Sequence, residues 1–566
     1  MHYFISVFLV FTTSIFACSN VLVTKKASKD GSVIVAHVDD DEVGDQRIVY
    51  VPAKDYKKGA KRPVYPHTSV YPRYVGTARG KAYDIKKFQP TKPIGYIDQV
   101  EHTYAYFDGN YGIINEHQLC FGEATAASNY SLEPSKDRLF TSDELSRVAL
   151  ERCKKAKEAI ILMGELAEKY GYYGWGEILL VGDTEEGWVF EICGTPHGKN
   201  ALWVAKKVPD GEVFVNANIF RIREVDPNDP DMLFSSNLFE VAKENKWYDP
   251  KKEKLDWLKA VTPGEYNHPY YSLRRIWRLQ TKVNPSLKVS AWPDDGYTKE
   301  YPFSIKAKNK LSVRDVISLF RDHYEGTEFD LTKGIAAGPF GCPNRYTGDY
   351  DLLWHQPGKD VKLPLKGAWE RPLSVFYCGY VHVSQARGYL PDSIGAITWV
   401  GLDTPYTSCF MPFYPAINDL PHPMQKFTPQ SFELDEAWWY FNFVANWATL
   451  KYNYMKKDIQ KLQALLEDKE FATASKIEKQ ALDLYNKKNL KAMKKLLTDY
   501  CNDNTHYVLN RWWILAKYLI AKYIDGYINI PKVAENVGYP RWWRDEVGYQ
   551  NGPKEYKKSN EKIKMN

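Results

Sequence analysis

Residues 18–40 read CSNVLVTKKASKDGSVIVAHVDD, and the fold class turns on how this stretch is understood. Two alternating apolar stretches flank Lys29-Asp30-Gly31, a turn sequence, so the segment from Ser19 to Asp40 reads as a β-hairpin. The same grammar recurs at Glu177–Cys193 (EILLVGDTEEGWVFEIC) and at Leu202–Ile219 (LWVAKKVPDGEVFVNANI), each read as strand, Asp/Gly turn, strand. Between them, Thr141 and Glu144 have the spacing of a capping box. It opens a helix through Leu145, Val148, Ala149, Ala156 and Ile160 to Tyr170, stopped at Gly171. Antiparallel hairpins with amphipathic helices predict an α+β fold in which helices cover sheets.

Outward from this core the chain changes character. Tyr50–Gln99 and Pro343–Lys366 are rich in residues that interrupt regular structure and read as irregular surface excursions. From Ser431 the pattern becomes helical, as in Trp439, Phe443, Trp447 and Leu450, then Ile459, Leu462, Leu465 and Leu466. The expected organisation is a targeting segment over 1–17, a catalytic domain over 18–430, a helical region over 431–553 and a frayed basic tail over 554–566. The 566 residues are 44% hydrophobic and 26% charged, which excludes wholesale disorder and collagen. A formal charge of +6 without a basic tract gives no electrostatic reason to expect a nucleic-acid partner.

Tyr3–Ala17 (YFISVFLVFTTSIFA) is an apolar run of signal-peptide length with a small residue at its end. No later run reaches about 18 apolar residues, so an extracytoplasmic chain without a membrane span is expected: secreted, periplasmic or in a lysosome-like lumen. Asn129-Tyr130-Ser131 is a glycosylation sequon if the host glycosylates. Cleavage after Ala17 leaves Cys18 with a thiol and a free α-amine. The other seven cysteines show no CxxC spacing, so neither a zinc ribbon nor a dense disulfide scaffold is indicated. The chain lacks HExxH, GxSxG and GxxxxGK[ST], and His323, in a turn after a helix, reads as structural. An α-amine of pKa ~7.7–8.0 beside a thiol of ~8.5 can accept its proton, so nucleophile and base share one residue. Among Asp39, Asp40 and Asp41, the choice for a carboxylate that holds the ammonium is Asp40; the rival reading is a solvated turn.

These residues also carry a resemblance. CSNVLVTKKASKDGS from Cys18, Gly109-Asn110-Tyr111-Gly112, Gly122-Glu123, Tyr170-Gly171-Tyr172-Tyr173, Asn216-Ala217-Asn218, Arg275-Ile276-Trp277, RDHYEGTEFDLTK from Arg321, Gly338–Pro343 and Gly538–Trp543 occur in order. The chain thereby resembles the dipeptidase A family of N-terminal-nucleophile (Ntn) cysteine peptidases. The resemblance implies a four-layer αββα sandwich with a helical C-terminal region, and dipeptide hydrolysis through a cysteinyl thioester without metal or cofactor. It implies that Cys18 attacks, Asp40 lies beside it, Asn218 polarises the carbonyl oxygen and Arg275 stands near the thiolate. His37 occupies a position where relatives often carry arginine, and a histidine there either makes substrate binding titrate near neutrality or leaves the site. Glu123 and Glu177 are candidate contacts for a substrate amine; buried structural carboxylates are the alternative. Asn216 and Arg274 are the neighbours that a shifted alignment would select. Competing functions are an N-acyl amide hydrolase of the penicillin V acylase or bile salt hydrolase type, and a lipid-anchored binding protein with Cys18 lipidated. Substrate preference and homo-oligomerisation stay open.

Overall fold

The computed structural model describes residues 18–552 except 42–43, 68–72, 74, 86–87, 266–270, 294 and 347–370. The expected targeting segment, the expected basic tail and most of the second predicted excursion therefore lie outside the described residues.

The strands that build the two large sheets are β1 (Ser19–Val23), β2 (Val33–Asp39), β3 (Val49–Val51), β4 (Tyr106–Asp108), β5 (Gly112–Asn115) and β6 (Cys120–Ala126). They continue with β7 (Gly176–Gly182), β8 (Gly187–Cys193), β9 (Leu202–Lys207), β10 (Glu212–Asn216) and β11 (Met232–Phe234). The set closes with β12 (Ser304–Lys306), β13 (Tyr380–Ala386), β14 (Ala396–Leu402) and β15 (Met411–Phe413). The main helices are α1 (Ser142–Arg152), α2 (Ala156–Tyr170), α3 (Leu273–Val283), α4 (Val313–Phe320), α5 (Ala437–Ala448), α6 (Tyr452–Asn486) and α7 (Leu490–Lys522).

The first sheet runs β12-β10-β1-β2-β13-β14-β15 and the second β11-β9-β8-β7-β6-β5-β4-β3. Every pairing in them is antiparallel. β1 and β2 lie against β6 and β7, so the two sheets face each other. Gly122 in β6 permits that approach: a Cβ there would lie 3.2 Å from Val35 Cγ1 and 3.4 Å from the Ala36 carbonyl. Helices α1 and α2 cover the second sheet, and α3 and α4 cover the first at β10, β2 and β13.

Covered faces explain the sequence of β7. Ile178 and Leu180 join the core between the sheets, whereas Leu179 and Val181 join the core beneath α1 and α2. A strand buried on both faces reads as an unbroken apolar run, which is what ILLV is. Helix α5 packs on β14, and α6 and α7 pack on β15. Leu466, Leu497 and Trp512 belong to the same contiguous core as Val21 and Val35. Each fully buried Leu or Val contributes about 1.5–3 kcal/mol, so these helices are held by the same force as the sheets.

Four expectations are corrected. The third predicted hairpin is not one: β9 joins the second sheet and β10 the first, so residues 208–211 cross from one sheet to the other. The Pro209-Asp210-Gly211 corner is tied to β1 instead, because the Gly211 and Glu212 amides donate to Thr24 Oγ1 at 2.9 and 3.1 Å. The single helix predicted from Thr141 to Tyr170 is two helices, broken around Cys153. Asn115 Nδ2 donates to the Leu150 and Cys153 carbonyls at 2.9 Å each, and Asp183 Oδ2 accepts the Ala156 amide at 2.9 Å, capping both broken ends. Glu144 does not complete the capping box, because it pairs with Arg62 at 3.0 Å and with Arg79. Finally, the Tyr50–Gln99 excursion is not wholly superficial: Arg62, Arg73, Arg79 and Tyr83 are buried.

Candidate functional site

Cys18 immediately precedes β1 and is buried, with β2 beside it in antiparallel register. The hairpin brings His37 opposite Asn20 and carries Asp39 and Asp40 past Ser19. Gly31 makes the return with φ of 77°, the left-handed backbone that glycine adopts without a Cβ clash.

Arg275 joins three parts of the chain at this point. Nη1 donates to the Cys18 carbonyl at 2.9 Å and to Ser19 Oγ at 3.0 Å, while Nη2 donates to Asn218 Oδ1 at 2.8 Å. Its Nε donates to the Tyr271 carbonyl at 2.7 Å. The guanidinium comes from the first turn of α3, whose leading amides are held by Glu265: Leu273 N donates to Oε2 at 2.9 Å, and Ser272 N to Oε1. A carboxylate at a helix N-terminus is favoured by the orphan amides and by the dipole. Arg274, the neighbour that a shifted alignment would choose, lies instead over the rings of Trp292 and Phe329, at 4.3 and 3.4 Å from their centroids. Arg275 is fully buried and is therefore not a solvated helix residue.

Asn218 lies two residues beyond β10 with φ of 56°, a left-handed conformation that asparagine tolerates better than most residues. Its Nδ2 donates to the Thr125 carbonyl at 2.6 Å. Together with the Arg275 bond to Oδ1, this fixes the carboxamide plane across from β6. Asn216 lies in β10 opposite Asn20 and makes no such link to Arg275.

Asp40 is buried and accepts Arg371 Nη2 on Oδ2 at 2.7 Å. Burial raises its carboxyl to about 7, even though Arg371 and Arg275 pull the other way. Arg371 went unremarked in the sequence. It follows the second excursion in Glu370-Arg371-Pro372-Leu373, where nothing in spacing or pattern distinguishes it from any surface arginine. Its Nη1 donates to the Tyr377 hydroxyl, and its guanidinium lies 5.5 Å from the Tyr271 ring centroid.

On the other side of Cys18 stand His37 and Glu123, with His37 Nε2 3.6 Å from Glu123 Oε2. Burial, and after it the nearby His382, push the His37 imidazole well below its ordinary range. The alternative that this histidine leaves the site is corrected by its place beside Glu123 and Cys18, and the downward shift runs against the expectation that it titrates near neutrality. The Thr125 hydroxyl lies between Glu123 Oε1 at 3.0 Å and Glu177 Oε1 at 3.2 Å. Burial raises both carboxyls, and the charge of Glu123 raises Glu177 further. Glu123 and Glu177 are buried, and His67 pulls the Glu123 carboxyl in the opposite direction to burial. The Cys18 thiol is itself pushed well up by burial and by Glu123, Asp39 and Asp40. His323 is elsewhere, its amide and Nδ1 held by Glu325 at 2.6 and 3.1 Å, as a structural turn residue.

The structure thus brings Cys18, Asp40, Asn218, Arg275, His37, Glu123 and Glu177 into one connected, buried cluster. A thiol, an oriented carboxamide and carboxyls with displaced proton affinity are the parts of an acyl-transfer site. All eight cysteines are free thiols.

The comparisons with known proteins agree with an enzyme of this class. The sequence profile described as Peptidase family C69 matches residues 17–464, and the chain belongs to that family. It is 25% identical over 408 residues to a probable dipeptidase of Salmonella dublin, covering 71% of this chain and 81% of the relative. It is 25% identical over 472 residues to a probable dipeptidase of Latilactobacillus sakei, covering 82% and 89%. With probable dipeptidase A of Streptococcus pyogenes the identity is 22% over 514 residues, covering 88% and 95%.

Proposed function

We propose that this peptidase is a dipeptidase that works through Cys18 as an N-terminal nucleophile on an Ntn-type αββα sandwich, after removal of residues 1–17 in an extracytoplasmic compartment. The observation that carries the reading is the Arg275 bridge, which ties the Cys18 carbonyl and Ser19 to Asn218 in one buried unit. The profile match beginning at residue 17, next to Cys18, and the dipeptidase names of the relatives support it.

In this reading the freed α-amine of Cys18 takes the thiol proton, and Sγ attacks the scissile carbonyl. The tetrahedral oxyanion forms beside the Asn218 carboxamide, which is already oriented by Thr125 and Arg275. Collapse transfers the proton from the ammonium to the departing amine and leaves a thioester. Water, deprotonated by the same amine, then releases the acid and restores the thiol. Asp40, positioned by Arg371, steadies the ammonium. Glu123 and Glu177 face the free amine of the substrate, which distinguishes a dipeptide from an N-acyl amide.

The test is turnover of dipeptides and of their N-acetylated counterparts by the chain purified as its host exports it, with intact mass and N-terminal sequencing. The expected result is a chain starting at unmodified Cys18, preference for the free amine and a trapped acyl adduct on Cys18. Cys18→Ala is expected to remove turnover while leaving the melting temperature nearly unchanged. Wild-type rates in that variant, or a lipid on Cys18, would overturn the proposal.

A further inference from the structure

The second inference rests on the first only in treating Cys18 as the nucleophile. The Cys18 thiol sulfur, one His37 imidazole nitrogen and one Glu123 carboxylate oxygen all lie within 4.8 Å of one another, and all three residues are buried. Among the described residues His37 Nε2 has no hydrogen-bond partner, and neither does Glu123 Oε2, the atom it faces at 3.6 Å. A buried imidazole nitrogen without a partner is costly, and such atoms commonly mark a place where something binds. The donors are one sulfur, one nitrogen and one oxygen, a set that suits a borderline divalent ion such as zinc better than calcium or magnesium, which take oxygen ligands. The spacing suits it as well: bonds of ~2.0–2.1 Å in a tetrahedron place two ligand atoms ~3.4 Å apart, close to the His37–Glu123 separation.

We propose that Cys18, His37 and Glu123 form an inhibitory site for a thiophilic divalent cation, which occupies the nucleophile and holds the enzyme inactive until the ion is withdrawn. Three protein ligands leave a fourth position for water or for the Cys18 amine. The sulfur binds as thiolate, its proton passing to solvent, so no oxidant or reductant is involved. With the sulfur on the metal it cannot attack a carbonyl. His37 is the decisive residue, since it supplies the one nitrogen donor among the three.

Cobalt(II) chloride is the probe, added to the full purified chain after chelation. The expected result is one ion per chain, the visible bands of a four-coordinate ion, and a sulfur-to-cobalt charge-transfer band that Cys18→Ala abolishes. Displacement by zinc chloride should bleach these bands. Removal of one ligand should weaken binding at least as much as losing an outer-shell contact, about tenfold or more, in His37→Ala. Glu123→Gln, nearly isosteric, serves as a second variant should the first fail to fold. Absence of a stoichiometric site, binding without the sulfur band, or unaltered affinity in these variants would overturn the inference. Dipeptide turnover measured in chelator separates the two readings. Turnover without a cobalt site leaves the dipeptidase proposal and removes this one, whereas a cobalt site in a chain that cleaves no dipeptide does the reverse.

Discussion

Two buried clusters of charge lie on either side of the second sheet, and their carboxyls behave in opposite ways. Beneath α1, Arg147 donates to Asp108 at 2.9 Å and to Asp143 at 2.5 Å, Arg62 holds Glu144 and Glu151, and Arg47 grips Asp45. The arginines hold Asp108 and Glu144 below the usual carboxylate range, and Asp45 is held at about 2. Around Cys18, burial raises Asp39, Glu123 and Glu177, neighbouring acids add to the rise at Asp39 and Glu177, and Asp40 reaches about 7. Burial penalises the ionised form in both places; the guanidiniums around Asp108, Glu144 and Asp45 outweigh it, whereas at Asp40 it prevails over Arg371 and Arg275. The first cluster has the electrostatics of a structural clamp and the second those of a reactive site, although a sequence presents both as scattered Asp, Glu and Arg.

The contrast can be broken in order of expected effect. Arg147→Met strands several buried carboxylates and is expected to destabilise the fold by about 3–5 kcal/mol, read by denaturant unfolding, while catalysis per folded molecule is preserved. The stabilisation lost has a pH signature. The carboxyls of this cluster are lowered, so their contribution is present above ~3.9–4.3 and disappears as pH falls below that range, and the gap between variant and wild type should close there. Asn218→Ala removes the oriented carboxamide; kcat should fall by about 10²–10³ (about 2.7–4 kcal/mol) with a smaller change in stability. Equal rates in that variant would take Asn218 out of the mechanism.

Asp40→Asn sharpens the reactive side of the comparison. If the ionised carboxylate holds the Cys18 ammonium, wild-type kcat/KM should rise with pH through about 7, and the variant should lose that limb. Stability has the opposite sense: a raised carboxyl binds its proton more tightly when folded, so its contribution is complete below ~3.9 and is lost as pH rises toward about 7. Glu177→Gln gives the smallest effect, a few-fold rise in KM for free-amine dipeptides with little change for N-acetylated ones, about 0.5–1.5 kcal/mol for one altered contact. A fall in KM for both substrates would place Glu177 outside amine recognition.

Much of this contrast was legible residue by residue, and part was not. Cys18 and Asp40 are read from the residues, Asn218 and Arg275 from the resemblance, and the structure gathers them, while Arg274 lies over the Trp292 ring and Asn216 Oδ1 accepts the Ala217 amide. Arg371 carried no signal, since its meaning comes only from a bond to a residue 331 positions away. The break between α1 and α2 was missed because apolar periodicity continues through it, while the caps that create it come from Asn115 and Asp183 in other elements. No helix among the described residues is long and apolar enough to cross a membrane.

By itself the sequence determined the period-two strands, the Gly31 return, the helical run after Ser431 and the family to which the chain belongs, because these depend on neighbours in the chain or on ordered motifs. Tertiary structure alone decided that β9 and β10 part to different sheets, that Asp40 faces Arg371, and that burial lowers the proton affinity of His37. The physical reason is one of range. Propensity and turn chemistry act over a few residues, whereas desolvation and Coulomb forces depend on what the whole chain folds around a group.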